Sequence, residues 1–193
     1  SEVNEEDVNP EHIGFFELTE DGDVSFIGGR LAGQRLIARF NRPGRYAVIV
    51  VTPSFSDLSH HWAKKSIEHM SAKRIIQGYP DGRFGPDEAV TRAQFVSMLV
   101  RALGLPDYDG SSVMDGVHFE DVRPGQWFYG EVMAAVQAGI LQGFSDGTFR
   151  PQDWITREQA AAMLTRALLA RGLTGPITEE QAQTLLAGYA DLE

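Results

Sequence analysis

The chain has 193 residues, of which 42% are hydrophobic and 10% aromatic, enough to bury one or two ordinary cores and too apolar for a disordered acidic tail. No run of about 18 apolar residues occurs, which excludes a membrane-spanning helix, and the absence of cysteine excludes disulfides and thiolate chemistry. The net charge of −10 argues against non-specific binding to nucleic acid or to an anionic membrane, but residues 55–104 carry +2 and residues 119–173 only −1, so an anionic ligand stays compatible with those stretches.

The acidic start Ser1 to Asp7 is the opposite of a secretory leader, so any export signal would lie outside this sequence. Residues 1–54 then read as strands: Gly14 to Leu18, Val24 to Ile27, Arg35 to Phe40 and Tyr46 to Val51. Asp21-Gly22 between apolar runs is a hairpin signal, and Arg42-Pro43-Gly44-Arg45 supplies a turn between the last two strands. Asp21 and Asp23 do not continue into the ligand spacing of a calcium loop. Short strands without a covering helix read as the tail of a β-domain.

Beyond residue 54 the chain repeats itself. Phe55-Ser56-Asp57 meets Phe119-Glu120-Asp121, Trp62 meets Trp127, and the loop from Gly78 to Pro86 meets Gly143 to Pro151. Thr91-Arg92-Ala93-Gln94 meets Thr156-Arg157-Glu158-Gln159 at an offset of 65. A fixed-period repeat outranks any single motif, so function is to be read from what the two units share.

Each unit reads as helix, loop, helix, over residues 55–104 and 119–173. A first helix starting near Ser59 or Pro124 carries Trp62, Ile67 and Met70 in one copy, Trp127, Val132 and Val136 in the other, and Gly139 stops the second copy. The loops are ordered by glycine, proline and Asp-Gly turns, with Phe84 and Phe149 as their buried anchors. Thr91 with Gln94 and Thr156 with Gln159 form capping boxes, in which the hydroxyl and the amide satisfy free backbone amides at a helix start. Phe95, Met98, Leu99, Ala102 and Leu103 follow as an apolar stripe, copied by Ala160, Met163, Leu164, Ala167 and Leu168.

Residues 105–118 read as an acidic linker. Residues 174–193 read as a short connector helix after a third capping box, Thr178 with Gln181, and then Tyr189-Ala190-Asp191, which matches the opening of a unit and reads as a third repeat cut off. Leu192-Glu193 reads equally as a cloning remnant.

Chemistry is sparse. His12, His60, His61, His69 and His118 have no metal-ligand spacing, and no nucleophile elbow, phosphate loop or dinucleotide fingerprint occurs, so neither a catalytic residue nor a cofactor or metal is expected. Both units do keep an arginine in the first helical turn, Arg92 and Arg157. A helix start favours anions through its free amides, and a guanidinium adds a bidentate donor. The competing reading makes each arginine a strut to Asp57 or Asp121. Trp62 and Trp127 read either as core residues or as sugar-stacking platforms.

The order Phe-x-Asp, Trp, Gly-Tyr/Phe-x-Asp-Gly-x-Phe-x-Pro and Thr-Arg resembles the surface-layer homology domain of bacterial envelope proteins, across both repeats. The resemblance implies an α+β chain: mainly helical repeats forming part of a pseudo-threefold unit, after a small antiparallel β segment. It implies a non-catalytic module that holds a larger surface protein on a Gram-positive-type cell wall or surface layer, outside the cell, by binding an anionic, pyruvylated secondary cell-wall polysaccharide. Arg92 and Arg157 map to the arginine used for the acidic sugar. Gly78 and Gly143 map to loop glycines where a larger residue would crowd a groove, and Trp62 and Trp127 complete the glycan-binding set. The family's Thr-Arg-Ala-Glu stands here as Thr-Arg-Ala-Gln and Thr-Arg-Glu-Gln. An alternative role is assembly: self-association through the surface that an absent third repeat would cover. Nucleic acid and membrane insertion are not expected.

Overall fold

The computed structural model describes residues 12–19, 22, 24–32, 35–40, 43–106, 108, 119–173 and 175. The acidic start, most of the linker and the Thr178 to Glu193 stretch lie outside the described residues. Among the described residues five strands precede four helices: β1 (Ile13–Leu18), β2 (Val24–Gly28), β3 (Arg30–Ala32), β4 (Arg35–Ile37), β5 (Arg45–Val50), α1 (Lys64–Ala72), α2 (Arg92–Leu103), α3 (Tyr129–Gln137) and α4 (Arg157–Ala170). The α+β expectation holds.

β1 is the centre of an antiparallel sheet in the order β2-β1-β5. The expected hairpin joins β1 to β2, pairing Leu18 with Val24, and Gly22 at φ 87° donates its amide to the Thr19 carbonyl at 3.1 Å. The predicted third strand, Arg35 to Phe40, is shortened to β4, and β3 is a strand the sequence reading missed. Gly28 and Gly29, both at positive φ, turn the chain so that β3 and β4 pair with each other, and β5 pairs with β1 rather than with its sequence neighbour. Phe16 is the buried centre of the small sheet, with the Phe26 ring edge-on to it.

The helical part does not divide at the repeat boundary. α2 of the first repeat packs on α3 of the second, and one core joins Ala93, Val96, Leu99 and Val100 to Phe119, Phe128, Val132, Ile140 and Phe149, with Met163 and Ala167 from α4. Each Val, Leu or Phe buried there contributes about 1.5–3 kcal/mol before conformational entropy is subtracted. Packing across the repeats also rotates the expected stripe. The face of α2 that disappears is Ala93, Val96, Ser97 and Val100 with Leu99, whereas Phe95 and Met98 are half-buried and Ala102 is exposed. On α4 only Met163 and Ala167 are buried, and Leu164 and Leu168 are exposed, because none of the described elements covers α4 as α3 covers α2.

The first helix of each repeat begins later than expected. Residues 59–63 and 124–128 form successive turns, and α1 and α3 start at Lys64 and Tyr129 without a side-chain cap. The capping boxes of α2 and α4 are present as predicted, the Gln94 amide donating to Thr91 Oγ1 and the Gln159 amide to Thr156 Oγ1, each at 3.2 Å, and the expected third box lies outside the described residues. Gly139 takes φ 70° after α3, whereas the equivalent position after α1 is Arg74 at φ 56°. A side chain there carries the steric cost of the left-handed region. Arg74→Gly is therefore expected to stabilise the chain by about 0.5–1 kcal/mol, seen as a higher midpoint in chemical denaturation.

Candidate functional site

The loops between the helices are clamped in the same way in both units. Asp57 accepts the backbone amides of Phe84 at 2.9 Å and Gly85 at 2.7 Å, and Asp121 accepts those of Phe149 at 2.8 Å and Arg150 at 2.7 Å. The aspartate of Phe-x-Asp is thus a clamp on the loop, not the partner of an arginine. Phe149 is fully buried, Phe84 half-buried. The loop glycines serve the interior of their own unit. A Cβ on Gly78 would lie 2.4 Å from Phe55 Cε1 and 2.6 Å from the Arg83 carbonyl oxygen, and one on Gly143 would lie 2.2 Å from Phe119 Cε1. The crowding expected in a groove falls first on the Phe-x-Asp ring and the loop backbone.

The two arginines occupy different surroundings. Arg92 is 3% exposed and lies between the repeats, its Nε donating to the Phe149 carbonyl at 2.9 Å and its Nη1 to Gln159 Oε1 at 2.8 Å. Its guanidinium carbon is 4.7 Å from the Phe144 ring centre and 4.9 Å from that of Phe149. Burial pushes its pKa below the ordinary arginine value. The mouth of α2 is filled as well, because the amides of Arg92 and Ala93 donate to the carbonyls of Asp153 and Pro151 at 2.9 and 3.0 Å. Arg92 is a strut, as one of the two sequence readings had it, but its partners are a carbonyl, an amide and two rings rather than Asp57 or Asp121. Arg157 is exposed at the mouth of α4, where its guanidinium has no hydrogen-bond or ion-pair partner among the described residues.

The core reading of the tryptophans fails. Trp62 is 90% exposed and Trp127 58% exposed, because both precede their helices on the outer turns. Trp154, which sequence reasoning passed over, is 71% exposed on the segment that bridges to Thr91.

A groove of about 270 Å³ opens at the junction of the repeats. Gly78 and Tyr79 of the first loop, Gln94, Ser97 and Arg101 of α2, and Trp127 of the second repeat line it. Gly78 and Trp127 are thus brought together, while Arg92, Arg157, Gly143 and Trp62 lie outside it. A larger cleft, of about 810 Å³, lies between the β-sheet and the C-terminal ends of α2 and α4, away from the shared loop and tryptophan. Sequence reasoning missed Ser97 and Arg101 because, among the described residues, only the first unit has a neighbour covering its second helix. The available signal was a serine inside an otherwise apolar face.

The S-layer homology domain family matches residues 54–96 and 118–161. The two repeats are S-layer homology domains. A surface layer protein of Brevibacillus choshinensis is 36% identical over 105 residues, covering 54% of this chain and 9% of that protein. A cellulosome-anchoring protein of Acetivibrio thermocellus is 32% identical over 127 residues, 65% of this chain and 28% of that protein. An amylopullulanase of Thermoanaerobacterium thermosulfurigenes is 35% identical over 147 residues, 74% of this chain but 7% of that protein. The chain therefore spans a small fraction of the relatives it matches.

In these S-layer homology repeats the groove pairs the loop glycine of one repeat with the tryptophan of the next. Tyr79 and Glu88 of its lining belong to an ionic cluster: Arg83 donates to Asp81 and Glu88, and the Tyr79 hydroxyl donates to Glu88 at 2.8 Å. In the second repeat, hydrogen bonds from Thr148 and then Arg150 hold the Asp146 carboxyl down to about 2, and in the first the Gly85 and Phe84 amides lower Asp57. Both folded-state values lie below the unfolded value of about 3.9. Their contribution is present above about pH 4 and is lost as pH falls toward 2. Denaturation midpoints are expected to hold between pH 7 and 5 and to drop between pH 4 and 2. Asp146→Asn with Asp57→Asn should flatten that drop.

Proposed function

We propose that these S-layer homology repeats are a non-catalytic anchoring module that holds a larger extracellular protein on a Gram-positive-type cell wall by binding a secondary cell-wall polysaccharide. The observation that carries this reading is the groove at the repeat junction, where an exposed tryptophan stands beside a loop rigidly clamped by Asp57. Exposed aromatic faces beside fixed polar groups are what a sugar ring requires, since the ring has an apolar face and a polar rim. The names of the relatives, a surface layer protein and a cellulosome-anchoring protein, support the same role. An enzyme name such as amylopullulanase belongs to a far longer protein, of which this chain matches a small part.

The polymer is anionic, with pyruvylated sugars as its acidic groups. Arg157 is the residue that reads the charge, because it is the exposed member of the arginine pair at a helix start. Arg92 supports it indirectly, by holding Gln159, whose side chain completes the cap beside Arg157. The domain boundaries proposed from sequence, 55–104 and 119–173, mark units of sequence, and the binding unit is their junction.

The test is co-sedimentation of the whole chain with purified sacculi, intact or stripped of secondary polymer. Retention on intact sacculi, its loss on stripped ones, and a tenfold or greater weakening in Trp127→Ala with Arg157→Ala are expected. Equal retention on both preparations would sink the proposal. Self-association is the second reading, favoured by the exposed Leu164, Leu168 and Arg157 of α4, whose counterparts on α2 meet the neighbouring repeat. Light scattering over a wide concentration range decides it, a strict monomer counting against it.

A further inference from the structure

The larger cleft, between the β-sheet and the C-terminal ends of α2 and α4, has a strand edge in its wall. Ser25, Phe26, Ile27 and Gly28 of β2 line it in unbroken order. Successive side chains of a strand point to opposite faces, so a cleft over one face would meet every second residue, and consecutive lining means that it runs along the edge. In the order β2-β1-β5 that edge is open: β2 pairs with β1, and among the described residues no group satisfies the amides and carbonyls directed away from β1. Its sequence, Val-Ser-Phe-Ile-Gly, has no charge or proline to keep a free edge from pairing.

The same cleft holds uncommitted positive charge. Arg101 donates to Glu131 at 2.9 Å, but Arg39, just after β4, and Arg171, at the end of α4, are exposed and have no hydrogen-bond or ion-pair partner among the described residues. Glu17, the one acid of the described lining, is already engaged within the fold. Phe40, in ring contact with Phe15 and Tyr46, remains 48% exposed beside them.

We propose that this cleft receives an extended acidic peptide of a partner protein, which adds to the sheet as a strand beside β2 and sets its carboxylates against Arg39 and Arg171. Another backbone offers alternating amides and carbonyls at the strand spacing, so the open edge selects a peptide over a sugar or a lipid. The two guanidiniums select its charge, and Phe40 offers an apolar contact to a side chain between the acids. The cleft lies away from the repeat junction, and the proposal does not rest on the wall-glycan reading.

The experiment is a fluorescence-anisotropy titration of the whole chain with three labelled octapeptides. One alternates glutamate with valine, one replaces the glutamates by lysines, and one is the acidic peptide N-methylated throughout, which keeps the charges and removes every backbone donor. The acidic peptide should bind saturably, and each of the other two about tenfold more weakly or worse. Arg39→Gln with Arg171→Gln should weaken the acidic peptide about tenfold or more, while its denaturation midpoint and its retention on sacculi stay in place, since neither arginine is paired within the fold. No binding of the acidic peptide, equal binding of the N-methylated one, or undiminished binding by the double variant would each overturn the proposal. Loss of sacculus retention in that variant would also overturn it, by making the cleft part of the glycan site. So would a dimer in light scattering that the variant converts to a monomer, by making the occupant a second copy. Peptide binding by a chain that ignores intact sacculi would uphold the cleft and overturn the anchoring role.

Discussion

Arg92→Ala is expected to cost about 2–4 kcal/mol in chemical denaturation, and Arg157→Ala less than about 0.5 kcal/mol. The sequence gives the two residues the same motif, but the fold gives them opposite positions. Removing the Arg92 side chain takes the donors from the Phe149 carbonyl and Gln159 Oε1 and opens a void between the Phe144 and Phe149 rings. Lysine should not restore it, because one ammonium does not reproduce a planar group that donates in two directions while stacking on two rings. Arg157 touches none of these groups, and its replacement should leave the midpoint in place while weakening retention on sacculi. A cost below about 0.5 kcal/mol for Arg92→Ala would refute the buried strut.

Gly143→Ala should be as damaging, at about 2–4 kcal/mol. The added methyl would sit 2.2 Å from Phe119 Cε1 and 2.9 Å from the Thr148 carbonyl oxygen. Neither neighbour yields easily. Phe119 is buried in the core shared by the repeats, and the Thr148 carbonyl accepts the Phe144 amide at 2.8 Å, so displacing it breaks the turn of the loop. Phe144 also lies over Arg92, which couples the two sites. Gly143→Ala combined with Arg92→Ala should therefore cost less than the two single costs added together, as expected for residues that share partners. Strict additivity in that double-mutant cycle would contradict the coupling.

What the sequence could disclose followed the range of the interactions involved. The capping boxes of α2 and α4, the Asp-Gly turns and Gly139 are local devices, fixed by residues within four positions of one another, and among the described residues each appears where its pattern placed it. The division into repeats was legible for the same reason. The side each helix buries was not, because α2 is covered by the other repeat, and that long-range packing moved the buried face onto Ala93, Val96, Ser97 and Val100. The different positions of Arg92 and Arg157 arise in the same way: identical motifs diverge once one has a neighbour among the described residues. Trp62 and Trp127 were open to two readings on the first helix where the sequence placed them; the helices start after them, and on the preceding turns both face outward. The groove joins Gly78 to Trp127, residues from different copies, so no inspection of one repeat alone could assemble it.

The most direct measurement is a binding isotherm of the whole chain on purified secondary cell-wall polymer, before and after mild acid removes its ketal-linked carboxylates. Saturable binding should weaken at least tenfold after the treatment, and Arg157→Ala should bind the untreated polymer as weakly as the native chain binds the treated one. Unchanged affinity after removal of the acidic groups, or no binding to either polymer, would contradict an anchor that reads an anionic wall glycan.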